Sequence, residues 1–372
     1  MRKLLLAFPL AFWACDEMTS NPVLQVQYER NDLVSDVPGR AAHTDPNLIN
    51  PRGVALGPDT RFWVANEGTG TLTLYNGNGE QESAVIRVAS SGGGVTHPIG
   101  LVYNHTDAFE VRRTVPGFPL LNYHGPAQFL VATGDGQISG WNGDVSPRET
   151  NPAVSASQAE YTGLTIASDG ETGMLVYAAN FAQQRVDVYD ANFGAIDLGE
   201  KAFEDNGNPE MPDTFSPFSV HAIDDEIYVT YAERNWSTGD EIRAMSRGYV
   251  SVFSTTGRFL RRFVSKGALN APWGMVKASS TFGRLSNTIL IANRGDGRIN
   301  AFDASTGALI DAVRDTSDEA IEIDGLWGLA FGNGDGAGQT NELYFTAGTD
   351  GETHGLFGRV RRVNPVATKS IP

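Results

Sequence analysis

Side chains that carry oxygen recur at one place in the sequence, at the end of a short apolar run and just before a glycine-containing turn. Asn66 and Glu67 follow one such run, Asn180 follows another, and Asn293 and Asp296 follow a third. Oxygen ligands without sulfur suit a hard cation such as Ca²⁺, and the candidate metal ligands are Asn180, Asn293 and Asp296. Asn and Asp are also what tight hairpins require whether or not a metal binds, so both interpretations stay open.

Composition and charge exclude several classes of site. The chain of 372 residues carries 44 acidic and 28 basic side chains and a formal charge of −16, so no nucleic-acid partner is expected. Its single cysteine cannot form an internal disulfide or a multi-thiolate zinc site. The six histidines are scattered, and neither a Gly-x-Ser-x-Gly elbow nor a His-Glu-x-x-His motif occurs. Nucleophilic catalysis therefore has little support.

The elements that must position these side chains form a three-part unit that recurs six times. Each unit opens with a run entered through Pro-x-Gly or a variant, continues with an apolar β-rich run, and ends with an alternating run. The opening runs are Pro51–Ala55, Pro98–Val102, Tyr161–Thr165, Pro217–Val220, Pro272–Val276 and Leu326–Ala330. Asn-Gly and Asp-Gly pairs between runs supply the positive φ values of tight hairpins. Units of about 45 to 65 residues built of strands and turns predict an all-β, six-bladed β-propeller.

Closure of the ring requires one strand from elsewhere in the chain. Most units carry a fourth, outer strand, which in the third unit is predicted at Phe193 to Leu198. The sixth unit has no room for one before the C-terminal tail, 365–372, and an open ring would leave strand edges exposed. We therefore predict that the segment around Val23 to Tyr28 pairs as the outer strand of the last blade, which places the propeller at 23–364. The alternative assigns this segment to a disordered tether.

The predicted fold gathers the candidate side chains at one end. In a propeller the first strands line the channel, and the loops between second and third strands share one rim with the turns that enter the next blade. That rim is expected to collect the candidate ligand-binding residues Asn66, Glu67, His97, Asn180, Asn293 and Asp296. Phe218, Trp273 and Trp327 would approach the axis, as a stacking platform for a sugar or as a plug of the channel. Arg52, at the same position in the first unit, would pair with an anionic ligand or with a rim carboxylate.

The N-terminus resembles an export signal. Met1 to Ala14 combine a basic start with an apolar run far shorter than the roughly 20 residues of a membrane-spanning helix. Cys15 follows directly, as in bacterial lipoprotein signals, in which such a cysteine is lipidated and becomes N-terminal. The sequence predicts a signal peptide at 1–14, a tether at 15–22, and an exported protein of the periplasm or cell envelope, attached to the membrane only by a lipid at Cys15. The alternative is a lone cysteine that ends the signal region.

The repeated motifs resemble a known group of propellers. Pro-x-Gly with apolar residues, then Tyr/Phe-Val-Ala-Asn, then a strand ending in Tyr-Asp or Phe-Asp is similar to NHL-type six-bladed propellers. The segments Asp135–Asn142, Gly295–Asp303 and Ile323–Asn333 resemble an uncharacterised family of exported bacterial NHL-like propellers. Some of its members carry a PEP-CTERM tail, of which residues 366–372 show no sign. The resemblance implies the fold and an extracytoplasmic compartment, and it brings no established reaction.

Two functional hypotheses from different classes follow. The leading one is a binding or scaffolding module for a small ligand, a glycan or a protein partner in the cell envelope, with Ca²⁺ as the only candidate cofactor. The alternative is a divalent-metal-dependent hydrolase, because six-bladed lactonases and gluconolactonases, which the fold resembles, hold a metal at the channel mouth with carboxylate and Asn oxygens. A quinone-dependent dehydrogenase shares the blade number, but no residue favours it.

Overall fold

The computed structural model describes residues 27–115, 117–171 and 173–363. Outside these ranges lie the predicted signal peptide 1–14, Cys15, the tether 15–22, positions 23–26 of the predicted closing strand, and the tail 365–372. Within the described ranges, no helix is long and apolar enough to cross a membrane.

The strands form seven sheets, of which six are blades arranged around one axis and the seventh is a two-stranded hairpin, so the prediction of an all-β, six-bladed propeller is confirmed. The chain begins with β1 (Gln27–Ser35) and the two-residue β2 (His43–Thr44). Blade 1 consists of β3 (Pro51–Ala55), β4 (Phe62–Asn66), β5 (Thr71–Tyr75) and β6 (Gln81–Arg87). Blade 2 consists of β7 (Pro98–Tyr103), β10 (Phe129–Thr133), β11 (Gln137–Trp141) and β12 (Asn151–Ser155). A hairpin of β8 (Glu110–Val115) and β9 (Phe118–Pro126) is inserted between β7 and β10.

The remaining blades repeat this order. Blade 3 has three strands, β13 (Tyr161–Ser168), β14 (Met174–Asn180) and β15 (Arg185–Tyr189). Blade 4 consists of β16 (Phe215–Ile223), β17 (Glu226–Glu233), β18 (Tyr249–Ser254) and β19 (Phe259–Ser265). Blade 5 consists of β20 (Pro272–Lys277), a 3₁₀ turn (Gly283–Leu285), β21 (Ile289–Asn293), β22 (Ile299–Phe302) and β23 (Leu309–Ala312). Blade 6 consists of β24 (Leu326–Phe331), β25 (Glu342–Gly348), the helical turn α1 (Thr349–Glu352) and β26 (His354–Val363), with β1 as its outer strand.

The second strand of each blade is buried on both faces, because alternate side chains pack against the two neighbouring blades. In β4, Phe62 and Val64 belong to the core shared with blade 6, whereas Trp63 and Ala65 belong to the core shared with blade 2. Equivalent cores join the other neighbouring pairs of blades. Burial on both faces explains why the second strands have almost continuously apolar sequences.

The Pro-x-Gly pattern of the first strands has a steric cause. A Cβ on Gly100 would lie 2.8 Å from the backbone nitrogen of Leu164, and a Cβ on Gly163 would lie 2.7 Å from the Cα of Ser219. In each case the contact is with the first strand of the following blade, and the same close approach occurs at Gly53, Gly274 and Gly328. The first strands therefore meet around the axis at a ring of small residues, which a side chain would force apart.

The ring closes through an N-terminal strand, as predicted. β1 pairs antiparallel with β26, from Gln27 opposite Val363 to Ser35 opposite Leu356. Most of the strand lies beyond the predicted segment, Val23 to Tyr28. It is hard to find in the sequence because residues 29–32 are all polar, which an outer strand with half-buried side chains tolerates.

Two further features differ from the repeat pattern. The outer strand predicted in blade 3, at Phe193 to Leu198, is reduced to one bridge between Tyr189 and Ala195. Phe193 has a φ of 63°, so the chain turns where a strand would continue. The hairpin of β8 and β9, which the repeats do not reveal, extends blade 2 and carries the exposed side chains of Leu121 and Tyr123.

Candidate functional site

The predicted site residues lie at the rim where first strands begin and second strands end, which we name the upper rim. Antiparallel pairing places Pro51 opposite Asn66 in blade 1 and Pro272 opposite Asn293 in blade 5. The loops between second and third strands therefore stand beside the turns that enter the blades, as expected. The loops between first and second strands form the opposite end of the channel, the lower rim.

The three equivalent asparagines, Asn66, Asn180 and Asn293, are completely buried. The Asn66 amide donates to Thr73 Oγ1 at 2.9 Å, and the Asn293 amide donates to the carbonyl oxygen of Ala268 at 2.7 Å. The Asn180 amide donates to Oδ2 of Asp187, in its own blade, at 2.8 Å. These residues occupy equivalent positions because each one stabilises the turn that follows its own second strand. They are not brought together at one site.

The oxygens expected to bind Ca²⁺ already accept hydrogen bonds. Oδ1 of Asn180 accepts the backbone N–H of Gln183 at 3.2 Å, and Oδ1 of Asn293 accepts that of Asn270 at 3.1 Å. Both oxygens of Asp296 are also engaged, one by a backbone N–H and one by the Asn293 amide. In the parts of the chain that the structure describes, no group of three or more His, Cys, Asp or Glu side chains is placed to hold a metal ion. Calcium binding stays a prediction, and it would require these residues to exchange their present partners.

Trp273 and Trp327 close the channel below the upper rim. Their rings meet edge to face with centroids 5.5 Å apart, and Phe218 packs against Trp327 at 5.8 Å. With Ile99 and Phe181 they belong to a seventh apolar cluster, which we name the plug. Trp327 is 1% exposed and Trp273 is 4% exposed, so the two rings fill the channel and present no open face to a sugar.

A polar cluster covers the plug, and the carboxylate of Glu352 is at its centre. The guanidinium carbons of Arg52 and Arg294 lie 4.4 and 4.8 Å from the centroid of the Trp327 ring. Both arginines also pair with Glu352, and Arg243 approaches the same carboxylate to 3.0 Å. Arginines from blades 1, 4 and 5 thus converge on one carboxylate from blade 6.

The predicted residues Glu67 and His97 extend this cluster toward blade 2. His97 Nδ1 lies 2.6 Å from one Glu67 oxygen, and the Asn50 amide donates to the other at 2.7 Å. The same amide lies 3.4 Å from Glu352 Oε2. A continuous polar path therefore crosses the channel mouth, and we name its members the mouth cluster: Asn50, Arg52, Glu67, His97, Arg243, Arg294 and Glu352.

Burial and neighbouring charges shift the pKa values of two members of the mouth cluster. Burial on its own would raise the pKa of the Glu352 carboxyl, but the charges of Arg52 and Arg294 outweigh burial and hold this pKa below its usual value. Glu241, which pairs with Arg243 at 2.7 Å, is the second anion beside the three arginines. Burial, followed by repulsion from Arg243, lowers the pKa of Arg294. Three arginines are therefore paired with Glu352 and Glu241 above the plug, and the carboxylate of Glu67 stands beside them, bonded to Asn50 and His97.

Several donors beside the Trp327 ring are buried without a hydrogen-bond partner among the described residues. They are Nε of Arg52, Nε of Arg294 and Nε1 of Trp327 itself. A buried donor without a partner costs roughly 1–3 kcal/mol. A ligand that brought an acceptor atom to Nε of Arg52 would satisfy a donor that the described residues leave without a hydrogen bond, whereas Nε of Arg294 already lies 4.0 Å from Glu241.

A long loop of blade 4, residues 234–248, carries Arg243 across the mouth. The loop joins β17 to β18 and is fixed at its base by a hydrogen bond from the N–H of Ile242 to the carbonyl oxygen of Glu233. Trp236 and Met245 are exposed on it, and the guanidinium of Arg234 lies 4.8 Å from the Trp236 ring. In the sequence, this loop is indicated by the fourth repeat unit, whose second and third runs lie unusually far apart.

The structure therefore separates the predicted residues. Glu67 and His97 meet at the mouth, Trp273 and Trp327 form the plug beneath it, and Arg52 pairs at the mouth with a carboxylate, which is one of its two predicted roles. The asparagines and Asp296 hold turns. Sequence reasoning missed Asn50, Arg243, Arg294 and Glu352, since none of them recurs from unit to unit.

Comparison with known sequences places the chain among viral proteins. No protein-family model matches it. One uncharacterised protein of Acanthamoeba polyphaga mimivirus is 32% identical over 338 residues, which cover 89% of this chain and 79% of the relative. Another from the same virus is 30% identical over 333 residues, which cover 88% and 84%. This chain belongs to the family of these mimivirus proteins. The relatives support neither the bacterial origin nor the PEP-CTERM link that the motif resemblance implied.

Comparison with solved structures shows the fold alone. An aldose sugar dehydrogenase from Escherichia coli matches with a TM-score of 0.52 and 11% identity, over 90% of this chain and 99% of that one. A streptogramin B lyase matches with a TM-score of 0.50 and 10% identity, over 91% and 98%. Because one is a dehydrogenase and the other a lyase, the shared propeller does not assign a reaction.

Proposed function

We propose that the protein is a ligand-binding propeller that holds an anionic small molecule or an acidic sugar, such as a uronic acid, at the channel mouth. The observation that carries the proposal is the convergence of Arg52, Arg243 and Arg294 on the Glu352 carboxylate, above the Trp327 ring. Guanidinium groups bind carboxylates through paired N–H donors. The mouth cluster holds a carboxylate of the protein in the way that it would hold that of a ligand.

In this proposal the ligand carboxylate takes the place of Glu352. The backbone around Glu352 supports an exchange of this kind, because Asp350, Gly351 and Glu352 have φ values of 52°, 67° and 70°. Residues other than glycine adopt such values at a cost of about 1–2 kcal/mol each. Release of the Glu352 side chain would let this left-handed turn relax, which lowers the cost of the exchange.

Calorimetric titration of the full chain with galacturonate and with galactose tests the proposal. We expect galacturonate to bind and galactose, which differs from it only in lacking the carboxylate, to bind at least tenfold more weakly. Arg243→Gln should weaken galacturonate binding at least tenfold. Arg298→Gln is the matched control, because Arg298 pairs with Glu322 away from the cluster and both side chains are largely exposed. Equal affinity for the two sugars, or an Arg243→Gln protein that binds like the unchanged one, would contradict the proposal.

We further propose, on sequence alone, that the protein is exported and anchored by a lipid at Cys15. The support is that the only cysteine of the chain follows directly on the signal-like segment 1–14. Detergent phase partition tests this proposal, with mass spectrometry of the N-terminal peptide. The natural chain should enter the detergent phase and Cys15→Ser the aqueous phase, and an unmodified Cys15 in exported protein would contradict it.

The alternative function, a divalent-metal hydrolase of the lactonase type, stays a hypothesis. Its predicted ligands Asn180, Asn293 and Asp296 have all their side-chain oxygens engaged in hydrogen bonds. No contact at the upper rim favours it over carboxylate binding.

A further inference from the structure

A cavity opens at the lower rim, on the other side of the plug from the mouth cluster. Its volume is about 490 Å³, and its walls come from the first strands of blades 1 to 5. Leu101, Leu164, Met275 and Tyr103 are among the residues that line it. Inward, the cavity narrows to a throat of about 70 Å³ that reaches Trp273. Leu101, Leu164 and His221 line both parts, so the cavity and its throat are continuous.

His221 supplies a hydrogen-bond acceptor in this throat. Its Nε2 lies 2.8 Å from the carbonyl oxygen of Trp273. A carbonyl oxygen only accepts, so Nε2 carries the hydrogen and Nδ1 is an acceptor. Burial lowers the pKa of His221 to about 4, which keeps the ring neutral at pH 7. Nδ1 has no hydrogen-bond partner among the described residues, and the ring lines the cavity.

The rest of the cavity offers no net charge. Of the described residues that line the throat, His221 alone is ionisable. In the wider part the ionisable residues besides His221 are Tyr103, Asp224 and Lys277. Lys277 and Asp224 are exposed at the opening and pair with each other at 2.7 Å. A charged ligand would therefore lose its hydration without gaining a free partner of opposite charge.

We propose that this lower cavity is a binding site for a neutral, mainly apolar alcohol or phenol, whose hydroxyl group donates to His221 Nδ1 and whose apolar body fills the wider part. The volume of the wider part lies within the range of roughly 300–1,000 Å³ that is typical of small-molecule sites. The throat, at about 70 Å³, has room for about two water-sized groups, so the hydroxyl end of the ligand and not its whole body would enter it. A buried site that pairs with a hydroxyl discriminates strongly against an analogue without one.

This site is separate from the mouth cluster. The plug of Trp273 and Trp327 lies between the two, and the ligand classes are opposite in character, an anion above and a neutral apolar molecule below. Failure of one proposal therefore leaves the other standing, and galacturonate should not compete with a ligand of the lower cavity.

Two probes of similar shape test the proposal. 2-Naphthol has a hydroxyl donor, whereas 2-methoxynaphthalene has none. Titration of the full chain at pH 7 should give at least tenfold tighter binding of 2-naphthol. His221→Leu should remove this preference and leave the binding of 2-methoxynaphthalene nearly unchanged. Ala222→Phe, in the wall of the wider part, should weaken both probes at least tenfold. Arg298→Gln, on the outside of blade 5, should change neither.

Two results would overturn the proposal. One is equal affinity of the unchanged protein for both probes, since the hydroxyl would then make no specific contact. The other is undiminished binding to Ala222→Phe, since the probes would then bind elsewhere. If His221→Leu does not fold, the comparison of the probes and the Ala222→Phe variant decide the matter without it.

Discussion

Arg243 and Glu352 stand 109 positions apart in the sequence and approach to 3.0 Å across the channel mouth. Arg243 belongs to the long loop of blade 4, and Glu352 ends the helical turn before the last strand of blade 6. The pair therefore links two blades that are not neighbours in the ring. Anything that enters the mouth must either keep this contact or replace one of its partners.

Replacement of Glu352 by glutamine removes the anion that three arginines share. We expect the free energy of unfolding of Glu352→Gln to fall by about 2–3 kcal/mol, because partly buried guanidinium groups lose their counter-charge. Galacturonate should bind this variant more tightly than the natural protein, since it no longer displaces a carboxylate. Urea denaturation with and without galacturonate measures both effects.

The matched control for this variant is Glu322→Gln. Glu322 also pairs with an arginine, but its side chain is 59% exposed, so the change in unfolding free energy should stay below about 0.5 kcal/mol. A Glu352→Gln protein that bound galacturonate more weakly than the natural one would contradict the exchange of carboxylates.

Because the first strands meet at a ring of small residues, the addition of one methyl group there should strongly destabilise the protein. In Gly100→Ala the new Cβ would lie 2.8 Å from the backbone nitrogen of Leu164, which cannot move aside without shifting blade 3. We expect a loss of about 2–3 kcal/mol in the free energy of unfolding. Gly92→Ala is the control, because its Cβ would meet nothing within 4 Å and its φ is not positive. Similar melting temperatures for the two variants would refute the steric explanation.

The lowered pKa of His221 predicts a loss of stability in acid. In the unfolded chain this pKa returns to about 6.5, whereas in the folded protein it is about 4. Between these values the unfolded chain binds a proton that the folded protein does not. The contribution of His221 to the free energy of unfolding is therefore complete above pH 6.5. It declines by up to about 3 kcal/mol as the pH falls to 4.

Denaturation of the natural protein and of His221→Leu at pH 7, 5.5 and 4.5 isolates this contribution, since all other groups titrate in both proteins. The natural protein should lose more stability over this range than the variant does. Parallel pH dependences for the two proteins would show that His221 is not desolvated to this extent.

Metal analysis separates the two functional hypotheses. We expect the dialysed full chain to contain no stoichiometric divalent metal and to melt at the same temperature with and without chelator. A bound metal that raises the melting temperature and is lost in Asp296→Ala would favour the hydrolase instead. Elemental mass spectrometry together with thermal melting distinguishes these outcomes.

The blades were predictable from the sequence because their strands are neighbours along the chain. The runs that open at Pro51 and Pro272 became first strands at the predicted positions, and the glycine in each marks a contact that every blade makes. The closing strand was harder to place. Its residues 29–32 are polar, and the partner that makes them a strand lies at the other end of the sequence.

The mouth cluster could be predicted only in part. Asn66, Asn180 and Asn293 are conspicuous because the same residue ends the second strand in three of the blades, yet each of them holds a turn of its own blade. Arg243 and Glu352 occur once each, and their meeting depends on the length of one loop and on one left-handed turn. Neither property follows from local sequence periodicity.

The pairing of β1 with β26 also determines the order in which the molecule can be completed. Among the described strands β1 is synthesised first and β26 last, so β1 has only the two-residue β2 beside it until β26 has been made. During that time Tyr28, which is fully buried in the finished protein, has no core to enter. Contacts between such distant residues form slowly and leave apolar surface exposed to aggregation meanwhile. The seam between β1 and β26 is therefore where late misfolding would begin.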